Sequence, residues 1–251
     1  MMFGVALLLL IQPGQPGKPA AAPQPEAPKQ ATGLVAFPSP LITEILYAVP
    51  SKDGDANKDG TRDVNGDEFI ELVNPHDKPI QLGGYILADR DLKKGDHSFT
   101  SMHFKFPVME LKPGEVVVVF NGHKQKWTGP VGDAAKAPAK GNEHFAGARV
   151  LTMGITSDKQ GLANKGDWVQ LIAPDGKVVE RIYWGDAKPE GTGDSEEAPL
   201  VSGKSIERRT KTAAFEPCST GTFSPGTWPP GTPVSPNQDD KKPEDKKPEV
   251  K

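Results

Sequence analysis

Cysteine is almost absent from this chain, since Cys218 is the only one among 251 residues. An internal disulfide is therefore excluded, and the fold must be stable without one even in an oxidising compartment. A catalytic thiol needs a nearby base and a depressed pKa, but residues 215–219 contain no histidine and place the Glu216 carboxylate close to the thiol. The sequence therefore disfavours a cysteine nucleophile, while pairing between two chains stays open.

Other catalytic and cofactor motifs are missing as well. The sequence has no nucleophile-elbow serine motif, no P-loop and no dinucleotide-binding glycine motif, so we expect no small-molecule cofactor. The five histidines are scattered, and only His97 and His103 could share a strand face, whereas tetrahedral zinc needs three or four converging ligands. The charges are interspersed and sum to -3, and the basic stretch 204–211 has no interleaved aromatic residue, so we expect no nucleic-acid partner.

Long apolar runs are limited to Phe3 to Ile11, which has the length of a signal-peptide core and is too short to span a bilayer as a helix. This run predicts an exported protein that is extracellular, on the cell surface or periplasmic. No Lys or Arg precedes it and no clean small-x-small cleavage site follows, so it is either cleaved or kept as the only membrane contact. We interpret residues 1–33 as this segment with a Pro-rich linker, 34–228 as the folded domain, and 229–251 as a disordered charged tail.

Sustained helical periodicity is absent too, and the pattern between the two arms is one of strands and turns. Segments rich in β-branched and aromatic residues predict strands at 41–47, 68–73, 85–87, 115–120, 167–172 and 177–183. The last two flank a turn in which Gly176 can take a positive φ, which predicts a β-hairpin. Such strands without helices indicate an all-β sandwich or barrel. Residues 121–149 and 185–203 are polar and rich in small residues, and they are predicted to be surface insertions.

The order of the strand motifs carries a family resemblance. LITEILY at 41–47 is followed by GDEFIELVNP at 66–75, PIQLGGYILAD at 79–89, LKPGEVVVVF at 111–120, GLANKGDWVQLIAPDGKVVERIYWG at 161–185, SIERR at 205–209 and SPG at 224–226. Over about Leu34 to Trp228, the chain resembles the lamin tail domain family as it occurs in bacterial exported proteins. The departures are the long insertion after Phe120 and the Leu162-Ala163-Asn164 run. The resemblance implies an immunoglobulin-like β-sandwich with long loop insertions, used for attachment and targeting, with no family active site to carry over.

One loop points to a specific chemistry, because oxygen-bearing side chains alternate through it and Gly60 permits a sharp turn, as in the first half of an EF-hand loop. The predicted Ca²⁺ ligands are Asp55, Asn57, Asp59, the Thr61 carbonyl and Asp63, with Asp67 or Glu68 completing the shell. The loop is not a complete EF-hand, since Gly66 stands at the twelfth position where a bidentate glutamate belongs. The alternative is an ordinary acidic, solvated loop between two strands.

Two further sets of charged residues have structural interpretations. Glu44 and Glu71 can share one face of the sheet, where two carboxylates about 5 Å apart would mimic a glycosidase pair, but solvent-facing or turn-bonded carboxylates are commoner on a sandwich. Arg208 and Arg209 are predicted to be edge-strand charges that discourage sheet pairing.

Three functions are compatible with these observations. The favoured one is a non-enzymatic binding and attachment module whose loops contact a protein or a surface polymer. The second is a self-associating structural protein of the cell envelope, and the third is a hydrolase that uses Glu44, Glu71 and the acidic loop.

Overall fold

The computed structural model describes residues 35–89, 102–189 and 194–229. The predicted N-terminal segment and linker, all but the first residue of the predicted tail, and His97 lie outside the described residues. Within them the chain forms thirteen β-strands and one 3-10 helix, Glu143–Phe145. Nothing helical in these ranges has the length and apolar character needed to cross a membrane.

The strands are two to eight residues long. They are β1 (Leu41–Leu46), β2 (Phe69–Val73), β3 (Ile80–Gln81), β4 (Ile86–Ala88), β5 (His103–Lys105), β6 (Glu110–Leu111), β7 (Val116–Phe120), β8 (Arg149–Thr152), β9 (Gly166–Ile172), β10 (Val178–Gly185), β11 (Ser195–Glu197), β12 (Ile206–Glu207) and β13 (Glu216–Pro217). All six strands predicted from the sequence are present. The predicted hairpin is confirmed, since the Gly176 N–H donates to the Ala173 carbonyl over 2.9 Å and Gly176 has φ 86°.

Two sheets pack face to face, as the all-β sandwich prediction requires. One is six-stranded in the order β13-β12-β1-β2-β7-β8, and the other is five-stranded in the order β11-β10-β9-β4-β5. Strands β3 and β6 form a separate two-stranded pair. Most neighbours are antiparallel, but β8 runs parallel to β7 and β11 runs parallel to β10. The architecture is an immunoglobulin-like β-sandwich with long connections.

The main core lies between the two sheets. The six-stranded sheet contributes Ile45, Leu72 and Val119, and the five-stranded sheet contributes Leu171 and Trp184, all of them at most 1% exposed. The ring of Trp184 stacks on Tyr47 with centroids 4.3 Å apart and planes inclined by 8°. An apolar face on each sheet thus supplies the hydrophobic stabilisation that strand alternation predicts.

The opposite face of the six-stranded sheet, here called the outer face, is also covered. Its strand residues Phe69, Val118 and Phe120 form a second apolar cluster. The insertion after Phe120 contributes Phe145, which is 1% exposed, and the half-buried Trp127. The prediction of a purely surface insertion at 121–149 is therefore wrong, because its few apolar side chains seal a sheet face that would otherwise lie in water.

The 185–203 segment also departs from its prediction as a surface insertion. Its residues Ser195–Glu197 form strand β11 at the edge of the five-stranded sheet, with Arg181 of β10 opposite Ser195. A Ser-Glu-Glu strand has almost no β-propensity of its own. Its inward side chain, Glu196, is 6% exposed and bonds to a buried arginine, which is a tertiary interaction that local composition cannot reveal.

Candidate functional site

The acidic loop before β2 is held in shape by its own carboxyl and amide oxygens. Asp55 accepts the N–H groups of Asp59 and Gly60 over 3.1 Å and 2.9 Å. Asn57 also accepts the Asp59 N–H, over 2.8 Å, and Asp59 accepts the Thr61 N–H over 2.8 Å. These contacts wind the chain tightly, with φ at 86° at Gly60, so glycine is required at the position where the sequence predicted a sharp turn.

Two further predicted ligands brace the base of the loop. Asp67 is fully buried and accepts the N–H groups of Asn57 and Asp63 over 2.9 Å and 2.7 Å. Burial raises the pKa of Asp67 to about 6, although these hydrogen bonds oppose the shift. Burial also acts to raise the pKa of Asp63, but hydrogen bonds from Gly66, His123 and Asn65 outweigh it, so the pKa of Asp63 is lowered.

The loop is docked onto the insertion that covers the outer face. The Lys126 N–H donates to Asp59 over 2.9 Å, and a ring nitrogen of His123 lies 3.0 Å from the Asp63 carboxylate. Lys58 donates to the His144 carbonyl, and its ammonium lies 5.1 Å from the centroid of the Phe145 ring. The acidic loop and the insertion therefore form one continuous surface, which we call the loop-insertion surface and define as residues 53–67 and 122–145.

The structure places the six predicted metal-binding residues in one loop, where most of their side-chain oxygens already accept hydrogen bonds from the backbone. Asp55, Asn57, Asp59 and Asp67 each accept at least one backbone N–H, while Thr61 is exposed. Within the described ranges, no three His, Cys, Asp or Glu groups of this loop place ligand atoms within 4.8 Å of one another. The donors are all oxygens, which suits a hard cation such as Ca²⁺.

Glu68, the alternative to Asp67, does not face this loop. Its Oε2 accepts the Leu162 N–H over 3.0 Å and lies 3.4 Å from the Asn121 amide. Burial raises the pKa of Glu68 well above its usual range, and the Asp167 and Asp89 carboxylates add to the rise. Glu68 therefore belongs to a separate buried polar group next to β9.

A second group of acidic residues crosses the outer face as a row, which we call the glutamate row. Glu207 of β12 stands opposite Glu44 of β1, and Glu44 stands opposite Glu71 of β2. All three are at most 1% exposed. The expected proximity of Glu44 and Glu71 is confirmed, whereas the third member, Glu207, was not recognised from the sequence because only the strand register reveals it.

The C-terminal segment from Cys218 to Trp228 covers this row with hydrogen-bond donors. Glu44 accepts the Ser205 hydroxyl over 2.6 Å, the Ser224 N–H over 2.8 Å and the Ser224 hydroxyl over 2.8 Å. Glu71 accepts the Gly226 N–H over 2.7 Å and the Thr43 hydroxyl over 2.8 Å. The SPG motif at 224–226 therefore has a physical role, because it presents two backbone N–H groups to two buried carboxyls.

The environment of the row favours neutral carboxyls. Burial raises the pKa of Glu44 to about 7 against three hydrogen bonds that lower it, and the Glu207 charge raises it further. Burial also raises the pKa of Glu71 well above its usual range, with Glu44 as the next cause. The Glu44 and Glu71 carboxyls are buried under the C-terminal segment, so a glycoside has no access to them, and the geometry supports the turn-bonded interpretation.

The predicted inertness of Cys218 agrees with its surroundings. The thiol is 2% exposed, and burial raises its pKa. Its Sγ lies within 4.8 Å of carboxylate oxygens of Glu44 and Glu207. Neighbouring carboxylates disfavour a thiolate, so this cysteine is not activated.

Arg208 corrects the prediction of two edge-strand charges. Its guanidinium is 2% exposed and bonds to Glu180 over 3.1 Å and to Glu196 over 3.2 Å. It also lies 4.5 Å from the centroid of the Phe215 ring. Only Arg209 is exposed, paired with Glu216 over 3.4 Å. Both arginines follow β12 directly, and side chains of consecutive residues in extended chain point in opposite directions, so one arginine enters the core while its neighbour stays outside.

Comparison with known proteins agrees with the strand order and the motifs described above. The search of curated proteins finds no match to this chain. The sequence matches the family model described as Lamin Tail Domain over residues 36–186. This range contains β1 to β10, including both the acidic loop and the insertion. The chain belongs to the lamin tail domain family.

Proposed function

We propose that this protein is an exported, non-enzymatic binding and attachment module whose contact surface is the loop-insertion surface. The observation that carries the proposal is the docking of the acidic loop onto the insertion through Asp59 and Lys126, Asp63 and His123, and Lys58 and His144. Long loops held rigidly on a sandwich are the usual place for recognition. Its partner is a protein or a surface polymer.

Calcium has a stabilising role in this proposal. A Ca²⁺ ion held by Asp55, Asn57, Asp59, the Thr61 carbonyl and Asp63, with Asp67 beneath them, would neutralise clustered carboxylates. Because the same loop bonds to the insertion, the ion would stiffen both parts of the surface at once. Extracellular calcium is abundant enough to fill a site of millimolar affinity.

Self-association is less favoured than binding because the insertion protects one edge of the large sheet. Gly132 donates its N–H to the Val150 carbonyl and accepts the Thr152 N–H, both over 3.0 Å. Strand β8, which ends the six-stranded sheet, therefore has part of its free edge occupied. Sedimentation over a range of protein concentrations separates the two functions, since a binding module keeps a constant mass and an assembling envelope protein does not.

The calcium proposal is tested by thermal unfolding of the full chain in excess Ca²⁺ and in EGTA. If the free Ca²⁺ concentration is about 100 times the dissociation constant, binding stabilises the folded state by about 2.7 kcal/mol. We expect the shift to vanish in a double variant Asp55→Ala, Asp59→Ala. The control is Asp133→Ala, which removes a carboxylate that accepts the Ala135 and Lys136 N–H groups outside the loop. A wild-type protein that unfolds identically in Ca²⁺ and EGTA would overturn the calcium role.

A binding test uses the exposed lysines Lys124 and Lys126, because trimming the insertion would uncover the apolar outer face. Exchange of both for glutamate changes the charge of the loop-insertion surface, while the Lys126 backbone keeps its bond to Asp59. Retention on envelope material is compared with that of Lys177→Glu, which changes an exposed lysine in the β9-β10 turn, outside the loop-insertion surface. Equal retention of the two variants would argue against this surface as the contact site.

A further inference from the structure

In the part of the chain that the structure describes, the three acidic side chains of the glutamate row are buried side by side without a cation among their contacts. Glu207, Glu44 and Glu71 occupy matching positions on three neighbouring strands. Directly opposite residues in such strands have Cβ atoms about 5 Å apart, and like charges at that distance repel. The row is therefore stable only if protons reduce its charge.

Each element that neighbours the row contributes a different kind of group to its surroundings. Beyond Glu207, strand β13 places Glu216 opposite it, and this exposed carboxylate is paired with Arg209. Beyond Glu71, strand β7 places the apolar Val118 opposite it. In the covering C-terminal segment the titratable group is the Cys218 thiol, and the nearby Lys204 ammonium donates to the Cys218 carbonyl over 3.2 Å.

Two carboxyls of the row can accept a proton without losing the segment that covers them. One oxygen of Glu71 accepts the Gly226 N–H and the other faces the Thr43 hydroxyl. In the same way, Oε1 of Glu44 accepts the Ser224 N–H and Oε2 faces the Ser224 hydroxyl. A backbone N–H can only donate, whereas a hydroxyl can also accept. A proton therefore fits on the oxygen that faces the hydroxyl, and the backbone hydrogen bonds to the segment are kept.

The Ser224 hydroxyl also links two members of the row. It lies 2.8 Å from Glu44 Oε2 and 3.5 Å from Glu207 Oε2. A single hydroxyl hydrogen can satisfy one of these acceptors at a time. When Glu44 is protonated it donates to Ser224, whose own hydrogen is then free to turn toward Glu207, so the three groups form a complete chain.

We propose that the glutamate row is a pH-dependent clasp for the C-terminal segment 218–228, which is held most tightly while Glu44 and Glu71 carry protons and is loosened as they ionise. Ionisation leaves three negative charges under the segment, and opening the segment relieves them by admitting water.

The direction of the effect follows from proton linkage. A carboxyl whose pKa is raised in the folded state stabilises that state most below its ordinary pKa, near 4.5, and loses this contribution as the pH rises through the folded value, about 7 for Glu44. Between about pH 5 and pH 8, Glu44 alone increases opening of the segment on the order of 10²-fold. Glu71, whose pKa burial also raises well above its usual range, acts in the same direction.

The test is amide hydrogen exchange of the full-length chain, measured by mass spectrometry at about pH 5 and about pH 8. The reporting peptides contain Ser219, Ser224 and Gly226, whose N–H groups bond to the row. After correction for the intrinsic dependence of exchange on pH, we expect opening to increase on the order of 10²-fold at the higher pH, while strands β2 and β7 change far less. Equal protection at both values would overturn the clasp.

Variants separate the clasp from general instability. Glutamine cannot ionise, but it mimics the protonated acid, because its carbonyl can face the N–H and its amide can face the hydroxyl. We expect the double variant Glu44→Gln, Glu71→Gln to fold and to keep the segment protected at about pH 8. The control Glu216→Gln changes the exposed glutamate that stands opposite Glu207, outside the row, and retains the wild-type pH dependence.

Two results from these samples would contradict the proposal. One is a double variant whose segment still opens at high pH, since another group would then be responsible. The other is a segment that stays protected at about pH 8 until a chelator is added, because a bound cation would then compensate the charges instead of protons. If the double variant fails to fold, Glu71→Gln alone is measured, and a pH dependence equal to that of the wild type would likewise overturn the clasp.

Discussion

The buried arginine at position 208 provides the sharpest stability test of this fold. It directly follows β12 of the six-stranded sheet, and its two carboxylate partners lie on β10 and β11 of the other sheet. Glu180 also accepts the Ile42 N–H over 2.5 Å, so the network joins three strands across the sandwich. Arg208→Met keeps an unbranched apolar stem of similar length but removes the charge and both side-chain hydrogen bonds to the glutamates.

The expected cost follows from burial. Arg208, Glu180 and Glu196 are all less than 10% exposed, so removal of the cation leaves two carboxylates in the interior without compensation. Breaking a buried pair in this way costs about 3–5 kcal/mol. The neighbouring Arg209→Met is the matched control, because side chains of its pair with Glu216 are 54% and 57% exposed. Exposed pairs contribute about 0–1 kcal/mol.

Urea unfolding at two pH values measures both the size and the cause of the effect. Burial raises the pKa of Glu180 to about 7 even with Arg208 beside it. Without the arginine, Glu180 binds a proton more readily still, so the destabilisation by Arg208→Met should be smaller at about pH 5 than at about pH 8. Equal free energies of unfolding for the two arginine variants would refute the assignment of Arg208 to the core.

Two further predictions concern single contacts. Gly226→Ala should lower the free energy of unfolding by more than the ~1–2 kcal/mol expected from a left-handed φ alone, because the new Cβ would overlap the Phe145 carbonyl. Gly176→Ala is the control, since Gly176 has a similar φ of 86° and open space around it. Chemical denaturation of the two variants compares them directly, and equal losses would contradict the close approach at Gly226. Tyr47→Phe removes the hydroxyl that accepts the Val201 N–H over 2.6 Å, so it should cost about 1–3 kcal/mol, and a neutral substitution would show that this N–H finds another acceptor.

The sandwich was largely predictable because the local sequence of most of its longer strands favours the extended conformation. Val116–Phe120 and Phe69–Val73 are apolar, β-branched or aromatic, and bounded by turn residues, so local composition and the fold agree. The turn at Gly176 was predictable for the same reason, since only local geometry decides it. The family resemblance then supplied the immunoglobulin-like sandwich as the architecture in which these strands pack.

What covers the sandwich was not predictable in the same way. Trp127 and Phe145 are separated by polar and small residues with no period, so no pattern marks the insertion as a cover for a sheet face. Ser195–Glu197 forms a strand in which Glu196 accepts a hydrogen bond from Arg208, a residue 12 positions further along the chain. The partners of the acidic loop, His123 and Lys126, lie 60 and 67 residues from the carboxylates that they contact, so no local pattern connects them.

The buried carboxyl groups next to the outer face hold the segments that cover it in defined positions. An apolar cover can slide over an apolar sheet at little cost, because the hydrophobic effect has no direction. The segments that cover this outer face are instead fixed at particular atoms. The C-terminal segment donates its Ser224 and Gly226 N–H groups to the glutamate row. The insertion donates its Lys126 N–H to Asp59 of the acidic loop. Carboxyl groups that accept from backbone N–H groups set the register of both covers. They also make that register sensitive to charge, through protons in the row and, in the proposed calcium loop, through a divalent cation.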